Sequence, residues 1–148
     1  MSLDTIFNIS GTGMSAQTIR LNTIASNIAN AESSSSSIDQ TYRARHPVFA
    51  VVKQQVDANG VSQMNFNNGL STGYGVQVQG IVESDAPLAQ RYEPNHPNAN
   101  EEGYVSYPNV NVVEEMANMI SASRSFQTNV EVMNTAKTMM QRLLTLGQ

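Results

Sequence analysis

Two histidines, His46 and His96, carry the side chains in this sequence that most readily bind metals or transfer protons. His46 is followed by Pro47 in a strand-like run, and His96 stands in a polar loop. A zinc site needs three or four ligands at characteristic spacings, and no third ligand stands at such a spacing from either histidine. The absence of cysteine also removes thiolate ligands and cysteine nucleophiles. We therefore interpret both histidines as surface or strand-edge residues and predict no metal and no cofactor.

A second stretch imitates the opening of a calcium-binding loop, because oxygen-bearing side chains at alternate positions are followed by a glycine. Its residues are Asn98, Asn100, Glu102 and Gly103. Such a loop needs a closing acidic residue, and Asn109 stands where the glutamate belongs. We therefore predict an ordinary turn in which the glycine serves backbone geometry.

Acidic residues are concentrated between Glu83 and Glu115, where seven carboxylates accompany a single basic residue, Arg91. Paired carboxylates could act as general acid and base in a secreted hydrolase. Solvent exposure and helix polarity explain the same residues without catalysis. The sequence contains no serine elbow, phosphate-binding glycine loop or dinucleotide fingerprint. We predict that the protein is not an enzyme, whereas a deep pocket holding two acids with perturbed pKa values would favour the hydrolase.

The C-terminal residues, 109–148, are predicted to form one long helix, since apolar residues recur there at heptad spacing. One row of the heptad contains Val112, Met119, Phe126, Met133 and Met140, and the next contains Met116, Ser123, Val130, Lys137 and Leu144. Asn111 followed by Glu114 is typical of a helix start, and Gly147 is typical of a helix end. Such a helix is about 50 Å long, so a small compact domain cannot cover it.

Residues 5–31 contain a second heptad pattern and are predicted to form the other long helix. Its two rows are Phe7, Met14, Leu21 and Ile28, and Leu3, Ile24 and Ala31. Gly11 and Gly13 each cost about 1 kcal/mol relative to alanine inside a helix, so the first turns are expected to be weak in isolation. We predict that this helix packs antiparallel against the C-terminal one.

The middle of the chain has a different pattern. Residues 32–41 form a polar linker with five consecutive serines, for which we expect a mobile loop. Beyond it, Asn59-Gly60 predicts a hairpin turn, residues 76–82 alternate like a half-buried strand, and two shorter strands are predicted over 88–93 and 104–107. The sequence therefore predicts an α+β fold in which long terminal helices form an antiparallel coiled-coil-like pair with a small β-rich module between them. The expected division is an N-terminal helix over 1–31, a linker over 32–41, the β-rich module over 42–108 and a C-terminal helix over 109–148.

The composition favours a protein that packs into assemblies. Only 14% of the residues are charged, and the net charge is −4. The basic residues are scattered singly, so no nucleic-acid-binding patch is predicted. We also expect no membrane span and find no signal-peptide pattern, since no apolar run is long enough for either.

Several short motifs together resemble one protein family. The most specific is the run Leu21-Asn22-Thr23-Ile24-Ala25-Ser26-Asn27-Ile28-Ala29-Asn30-Ala31. The match extends to Tyr42-Arg43-Ala44, Tyr92-Glu93-Pro94, Gly103-Tyr104-Val105, Pro108-Asn109-Val110, Val113-Glu114-Glu115-Met116, the run from Ser121 to Gln127 and the run from Asn134 to Lys137. These motifs resemble those of bacterial flagellar rod and hook proteins over nearly the whole chain.

The resemblance implies a structural subunit of the proximal rod in the flagellar basal body, which assembles helically and transmits motor torque. It also implies a periplasmic location and export by the flagellar type III apparatus without a cleaved signal peptide. The implied partners are further copies, other rod proteins, rod junction subunits and the export apparatus. The alternative is a secreted stand-alone binding module built on the β-rich segment, which complete folding as a monomer would favour.

In this interpretation, the terminal helices leave apolar and small-residue faces that neighbouring subunits complete. The heptad rows and the motif around position 27 supply these faces. The predicted assembly-interface residues are Phe7, Met14, Leu21, Ile24, Ser26, Asn27, Ile28, Asn30, Val112, Met116, Met119, Phe126, Val130, Met133, Met140 and Leu144.

Overall fold

The computed structural model describes residues 3–56, 62–64 and 73–146. In chain order its elements are helix α1 (Leu3–Asn30), a 3-10 helix (Ile38–Gln40), strands β1 (Arg45–Val56), β2 (Ser62–Met64), β3 (Gly73–Glu83), β4 (Ala89–Tyr92) and β5 (Tyr104–Tyr107), and helix α2 (Val112–Leu146). The predicted α+β fold with two long terminal helices and a small β-rich region between them is confirmed.

The described strands form two small sheets. The first has the order β2-β1-β3, and β1 pairs antiparallel with β2 so that Gln54 faces Met64. This confirms the predicted hairpin, although the Asn59-Gly60 turn lies outside the described residues. In the second sheet, β4 pairs antiparallel with β5, and Ala89 faces Tyr107. Both of the shorter predicted strands are therefore present.

The chain divides into two compact units, and each helix contributes to both. The first unit contains Met1–Ile19, Val48–Gly80 and Ala122–Gln148, and the second contains Arg20–Pro47 and Ile81–Ser121. The division predicted from the sequence, in which each helix is a separate segment, stays a prediction.

In the first unit, small residues let α1 and α2 approach closely. A Cβ atom on Gly11 would lie 4.0 Å from Cε of Met133, and one on Gly13 would lie 3.1 Å from Nδ2 of Asn129. A higher residue number on α1 thus faces a lower residue number on α2, since Gly11 lies opposite Met133 and Gly13 lies opposite Asn129. The two helices are therefore antiparallel in this unit. Glycine at position 13 lowers the helix propensity of α1, but it permits a close contact with α2 that a larger residue would obstruct.

In the second unit, the core is formed around β5 and the last turns of α1. Val105 is fully buried, and Ile24, Ala31, Ala44 and Tyr107 are also buried. Arg20 of α1 donates from Nη2 to Oδ1 of Asn118 on α2, at 3.2 Å.

The serine segment of the predicted linker makes specific contacts. Ser35 forms an isolated antiparallel bridge with Ser106, and its amide donates to the Ser106 carbonyl at 3.2 Å. Ser33 donates its hydroxyl to the Asn30 carbonyl at 2.7 Å, next to the end of α1. Short polar side chains that bond to nearby main chain suit such a position. Mobility of this segment stays a prediction, but Ser33 and Ser35 have defined partners.

Helix α2 begins at the cap predicted from the sequence. The Oδ1 atom of Asn111 accepts hydrogen bonds from the amides of Val113 at 3.2 Å and Glu114 at 3.5 Å. These amides belong to the first helical turn and have no partner within the helix. The predicted helix end at Gly147 lies outside the described residues.

The Asn111 cap leads to a first prediction. Asn111→Ala is expected to lower the free energy of unfolding by about 1 kcal/mol, because it removes the acceptor for two amides. Chemical denaturation followed by circular dichroism measures this. Asn111→Asp serves as the control, since a carboxylate accepts the same bonds and suits the positive end of the helix dipole. Equal losses in both variants would contradict a capping role.

Candidate assembly interface

The side chain of Asn27 connects the last turns of α1 to the start of β1. Asn27 is completely buried. Its Oδ1 accepts hydrogen bonds from the Tyr42 hydroxyl at 2.8 Å and the Arg45 amide at 2.9 Å. Its Nδ2 donates to the Arg45 carbonyl at 2.8 Å. The carboxamide thus pairs with both main-chain groups of Arg45, as a neighbouring strand would do.

A second asparagine, Asn109, holds the residue next to Arg45. Its Oδ1 accepts from the Ala44 amide at 2.8 Å, and its Nδ2 donates to the Ala86 carbonyl at 2.9 Å. The Ser84 amide donates to the Ala44 carbonyl at 2.8 Å. The dipeptide Ala44-Arg45 is therefore where three segments meet: the start of β1, the end of β3 and the residues before α2. This role of Asn109 was not predicted from the sequence, where the Pro108-Asn109-Val110 motif is the available signal.

A polar cleft of about 550 Å³ lies beside this dipeptide in the second unit. Its lining includes Asp39, Arg43, Arg45 and Glu83. Arg45 donates to Oε1 of Glu83 at 2.9 Å, while Arg43 donates to the Ser84 carbonyl at 3.2 Å. Both members of the Arg45–Glu83 pair are about half exposed, so the pair contributes at most about 1 kcal/mol.

Aromatic residues stabilise the β4–β5 sheet. The rings of Tyr92 and Tyr104 meet edge to face with centroids 5.3 Å apart, and the Arg91 guanidinium lies 4.4 Å from the centroid of Tyr107. The Tyr107 hydroxyl donates to Oε2 of Glu93 at 3.2 Å. Burial raises the pKa of the Tyr107 phenol, and the hydrogen bond to the Glu93 carboxylate raises it further. The phenol therefore stays protonated and keeps donating this bond at neutral pH.

The stretch that imitates a calcium loop is a turn. Oδ1 of Asn100 accepts from the amides of Glu102 at 3.0 Å and Tyr104 at 2.8 Å, so this oxygen is already engaged. Gly103 has a φ of 83°, and a Cβ there would lie 2.9 Å from Cε2 of Tyr92. The predicted turn and the geometric role of the glycine are confirmed.

The candidate metal-binding and acid–base residues are dispersed. His46 is exposed, and Nδ1 of His96 accepts from the Asn98 amide at 3.1 Å. Within residues 3–56, 62–64 and 73–146, no three histidine or acidic side chains are grouped so that they could hold a metal ion. Of the acidic residues, Glu115 is buried and Glu83 is bound by Arg45.

The predicted interface residues occupy three kinds of position. Ile24 and Asn27 are buried within the chain. Partly buried positions are Phe7, Met14, Leu21, Ser26, Ile28, Asn30, Val112, Met119, Phe126, Val130 and Met133. Met116, Met140 and Leu144 are exposed. The structure brings Ser26 within 3.3 Å of the Tyr42 hydroxyl, as part of the Asn27 network. The assignment of these residues to contacts between subunits stays a prediction.

Several exposed apolar residues of α2 are absent from the predicted set, notably Val113, Ile120, Met139 and Leu143. A strict seven-residue row drifts by about 20° per heptad on a straight α-helix. This drift is too small over the first heptad to explain the exposure of Val113 and Ile120, which directly follow Val112 and Met119. Their exposure depends on what packs against α2, and the spacing of apolar residues gave no signal for it.

An apolar groove lies between α1 and the second half of α2 in the first unit. It has a volume of about 380 Å³. It is lined by Ile6, Val132, Ala136 and Met139, together with Thr128, Glu131 and Thr135. We refer to these residues as the apolar groove.

Comparison with known proteins assigns the chain to a family. Residues 7–32 match the family described as "Flagella basal body rod protein", and residues 101–146 match "Flagellar basal body rod FlgEFG protein C-terminal". The proteins called flagellar basal-body rod protein FlgC from Escherichia coli O157:H7 and Salmonella typhimurium are each 49% identical over 148 residues, covering 100% of both chains. The one from Borreliella burgdorferi is 37% identical over 153 residues, covering 100% of this chain and 99% of its own. This chain belongs to the FlgC family of flagellar basal-body rod proteins.

The predicted resemblance to flagellar rod proteins is thereby confirmed. The two matched segments correspond to most of α1 and to β5 with α2. Because FlgC relatives match along the entire chain, the β-rich middle belongs to the family as much as the helices do. Asn27 and Asn109, which hold the middle to the helices, each lie within one of these matched segments.

Proposed function

We propose that this chain is a structural subunit of the bacterial flagellar basal-body rod and that it assembles helically through α1 and α2, so that packed helices transmit motor torque. Membership of the FlgC family supports the structural role in the rod. The observation that carries the assembly proposal is the apolar surface left uncovered on α2. Val113 is 77% exposed, Ile120 56% and Leu144 70%.

The energetic argument follows from these exposures. Burying one large aliphatic side chain contributes about 1.5–3 kcal/mol, so several such residues on one helix favour association strongly. Contiguous exposed apolar patches on a folded chain commonly mark binding surfaces. A subunit whose helix bears such patches is therefore suited to a packed array.

We also propose a more specific location and set of partners. The subunit lies in the proximal, periplasmic part of the rod, beside further copies, other rod proteins and junction subunits. It reaches that place through the flagellar type III export apparatus without a cleaved signal peptide, and it is not an enzyme. The family's name supports the basal body as the location. Neither described helix is both long and apolar enough to cross a bilayer.

Leu144→Asp tests the assembly role of α2. The variant is expected to fold like the wild type, because Leu144 is exposed, but to be incorporated into basal bodies at least tenfold less, because a carboxylate would have to be desolvated in the contact. The measurement is the amount of the chain in purified basal bodies, with motility as a second readout.

Gln127→Asp is the matched control, since Gln127 is an exposed polar residue of the same helix. It adds the same charge outside the apolar patches and is expected to be incorporated normally. Circular dichroism of the purified variants confirms equal helix content. Normal incorporation of Leu144→Asp would show that this part of α2 is not a subunit contact.

A further inference from the structure

One cavity of the second unit has no role in the assembly proposed above. It is the cleft of about 550 Å³ beside the dipeptide Ala44-Arg45, and we refer to it as the polar cleft. Its walls are made by the end of α1, the serine segment, the 3-10 helix, the start of β1 and the end of β3. Small-molecule sites usually have volumes of about 300–1,000 Å³. The polar cleft is therefore large enough to be a ligand site, and one unit builds it alone.

The charges of the polar cleft are balanced. It is lined by the guanidinium groups of Arg43 and Arg45 and by the carboxylates of Asp39 and Glu83. Its other lining residues are serine, threonine, tyrosine, asparagine and glutamine. An anionic ligand would meet the two carboxylates, and a cationic ligand would meet the two guanidinium groups, so like charges disfavour both. An apolar ligand would leave the polar groups desolvated and unpaired. The polar cleft is therefore suited to an uncharged ligand that is polar throughout.

The fold does not use all of the hydrogen-bonding groups in the polar cleft. Arg45 donates from Nε and Nη2 to Oε1 of Glu83, which leaves Nη1 and the second carboxylate oxygen. Arg43 donates to two main-chain carbonyls through Nη1 alone. Among the residues that the structure describes, no hydrogen bond involves the side chains of Asp39 and Gln40. The polar cleft therefore offers donors and acceptors to a ligand at the same time.

Hydroxyl groups match this combination of donors and acceptors. A carboxylate only accepts hydrogen bonds and a guanidinium only donates them, whereas a hydroxyl group does both. Adjacent hydroxyls on a sugar ring present two such groups side by side, which suits the forked ends of carboxylate, carboxamide and guanidinium side chains. We propose that the polar cleft binds a neutral oligosaccharide. This inference goes beyond the proposed rod function and does not depend on it.

An uncharged peptide has similar polarity, but the polar cleft is less suited to it. Extended peptides bind through an unpaired strand edge and through pockets for alternate side chains. Here the main-chain groups of Arg45 are bound by Asn27, and those of Ala44 are bound by Asn109 and Ser84. In the described part of the chain, no aliphatic residue lines the polar cleft. Recognition therefore depends on side-chain hydrogen bonds, which favours a sugar over a peptide.

NMR titration of the isotope-labelled full chain tests this inference. The sugar probes are maltotetraose and chitotetraose, two uncharged tetrasaccharides of which only the second has N-acetyl groups. The third probe is an uncharged serine–glycine peptide of similar length. With at least one sugar, we expect amide chemical shifts to change at residues 33–35 and 39–45, with a dissociation constant in the millimolar range or below. The sugar that binds more tightly assigns the ligand as an N-acetylated or an unsubstituted glycan.

Asp39→Ala is expected to weaken sugar binding at least tenfold while leaving the fold intact, since it removes no hydrogen bond of the described chain. Asp85→Ala is the matched control, because Asp85 is an exposed acidic residue of the same unit outside the polar cleft. It is expected to bind sugar like the wild type. The absence of shifts with both sugars, shifts confined to other regions, or equal affinities of the two variants would overturn the inference. Binding of the peptide as tightly as the sugars would also overturn it and would assign the polar cleft to a polypeptide.

Discussion

Asn27→Ala is expected to lower the free energy of unfolding by about 3 kcal/mol. The substitution removes the side chain that the Arg45 amide and the Arg45 carbonyl bind in the native chain, and it leaves the Tyr42 hydroxyl with Ser26 alone as a partner. Because Asn27 is completely buried, water does not replace these bonds without disturbing the packing. Each unsatisfied buried group costs about 1–3 kcal/mol, and partial relaxation reduces the total. Urea denaturation followed by circular dichroism and tyrosine fluorescence measures the loss.

Asn22→Ala is the matched control, because Asn22 is an exposed asparagine of the same helix. It is expected to change the stability by less than about 0.5 kcal/mol. A loss of similar size in both variants would mean that the hydrogen bonds of Asn27 contribute little beyond helix propensity.

Asn27→Asp separates the hydrogen bonds from side-chain shape. The aspartate can accept the same bonds, but its second oxygen faces the Arg45 carbonyl, to which Asn27 donates. Burial and this repulsion are expected to raise the pKa of the new carboxyl in the folded state above its unfolded value of about 3.9. The protonated variant can donate as asparagine does. Its stability relative to the wild type should therefore be greatest below about pH 4 and decrease as the pH rises through the folded-state pKa. A difference from the wild type that is independent of pH would contradict the assigned geometry.

Gly75→Ala is expected to lower the free energy of unfolding by about 2–3 kcal/mol. A Cβ on Gly75 would overlap Oγ1 of Thr12 on α1, and the φ of 154° at this position also favours glycine. Oγ1 of Thr12 accepts from the Val76 amide at 3.3 Å, and its single hydrogen is shared between the carbonyls of Asn8 at 2.8 Å and Ile9 at 3.0 Å in α1. Accommodating the methyl group requires either the strand or Thr12 to move, and overpacking of this kind typically costs about 1–3 kcal/mol.

Gly80→Ala provides a matched control in the same strand, since a Cβ there has no neighbour within 4 Å. Its effect is expected to stay within about 0.5 kcal/mol. A double-mutant cycle with Thr12→Ala gives a second check, because removing the hydroxyl and methyl groups of Thr12 makes room for the new side chain. The two substitutions should compensate by about 1 kcal/mol or more. Simple additivity would show that the close approach of Thr12 to Gly75 does not determine the cost.

Local patterns predicted the regular elements well. Heptad spacing identified both helices, Asn111 marked the start of α2, and alternation identified β3. These features depend on residues close together in the chain, so a short stretch contains the information that specifies them. The motifs likewise indicated the family, because they consist of particular residues in a particular order.

The partners of individual side chains could not be predicted in the same way. Asn27 and Asn109 are far apart in sequence, yet they hold adjacent residues, Arg45 and Ala44. Both lie in family motifs, but the residues around them do not reveal which main-chain groups they bind. Gly75 is similar, because its requirement for glycine comes from Thr12 on another element. These pairings follow from long-range contacts, which periodicity does not encode.

By itself, then, the sequence determined the class of fold, the positions of its helices and strands, and the flagellar rod family, all of which depend on short-range order along the chain. Tertiary structure decided which faces of α2 remain exposed. The heptad rows predicted an apolar stripe through Val112 and every seventh residue after it. An α-helix turns every 3.6 residues, so such a row does not stay on one face. The two halves of α2 also pack within different units. The exposed apolar residues of α2 are consequently divided between Val113, Met116 and Ile120 near its start and the apolar groove in its second half, because exposure depends on what packs against each turn rather than on the spacing of apolar residues.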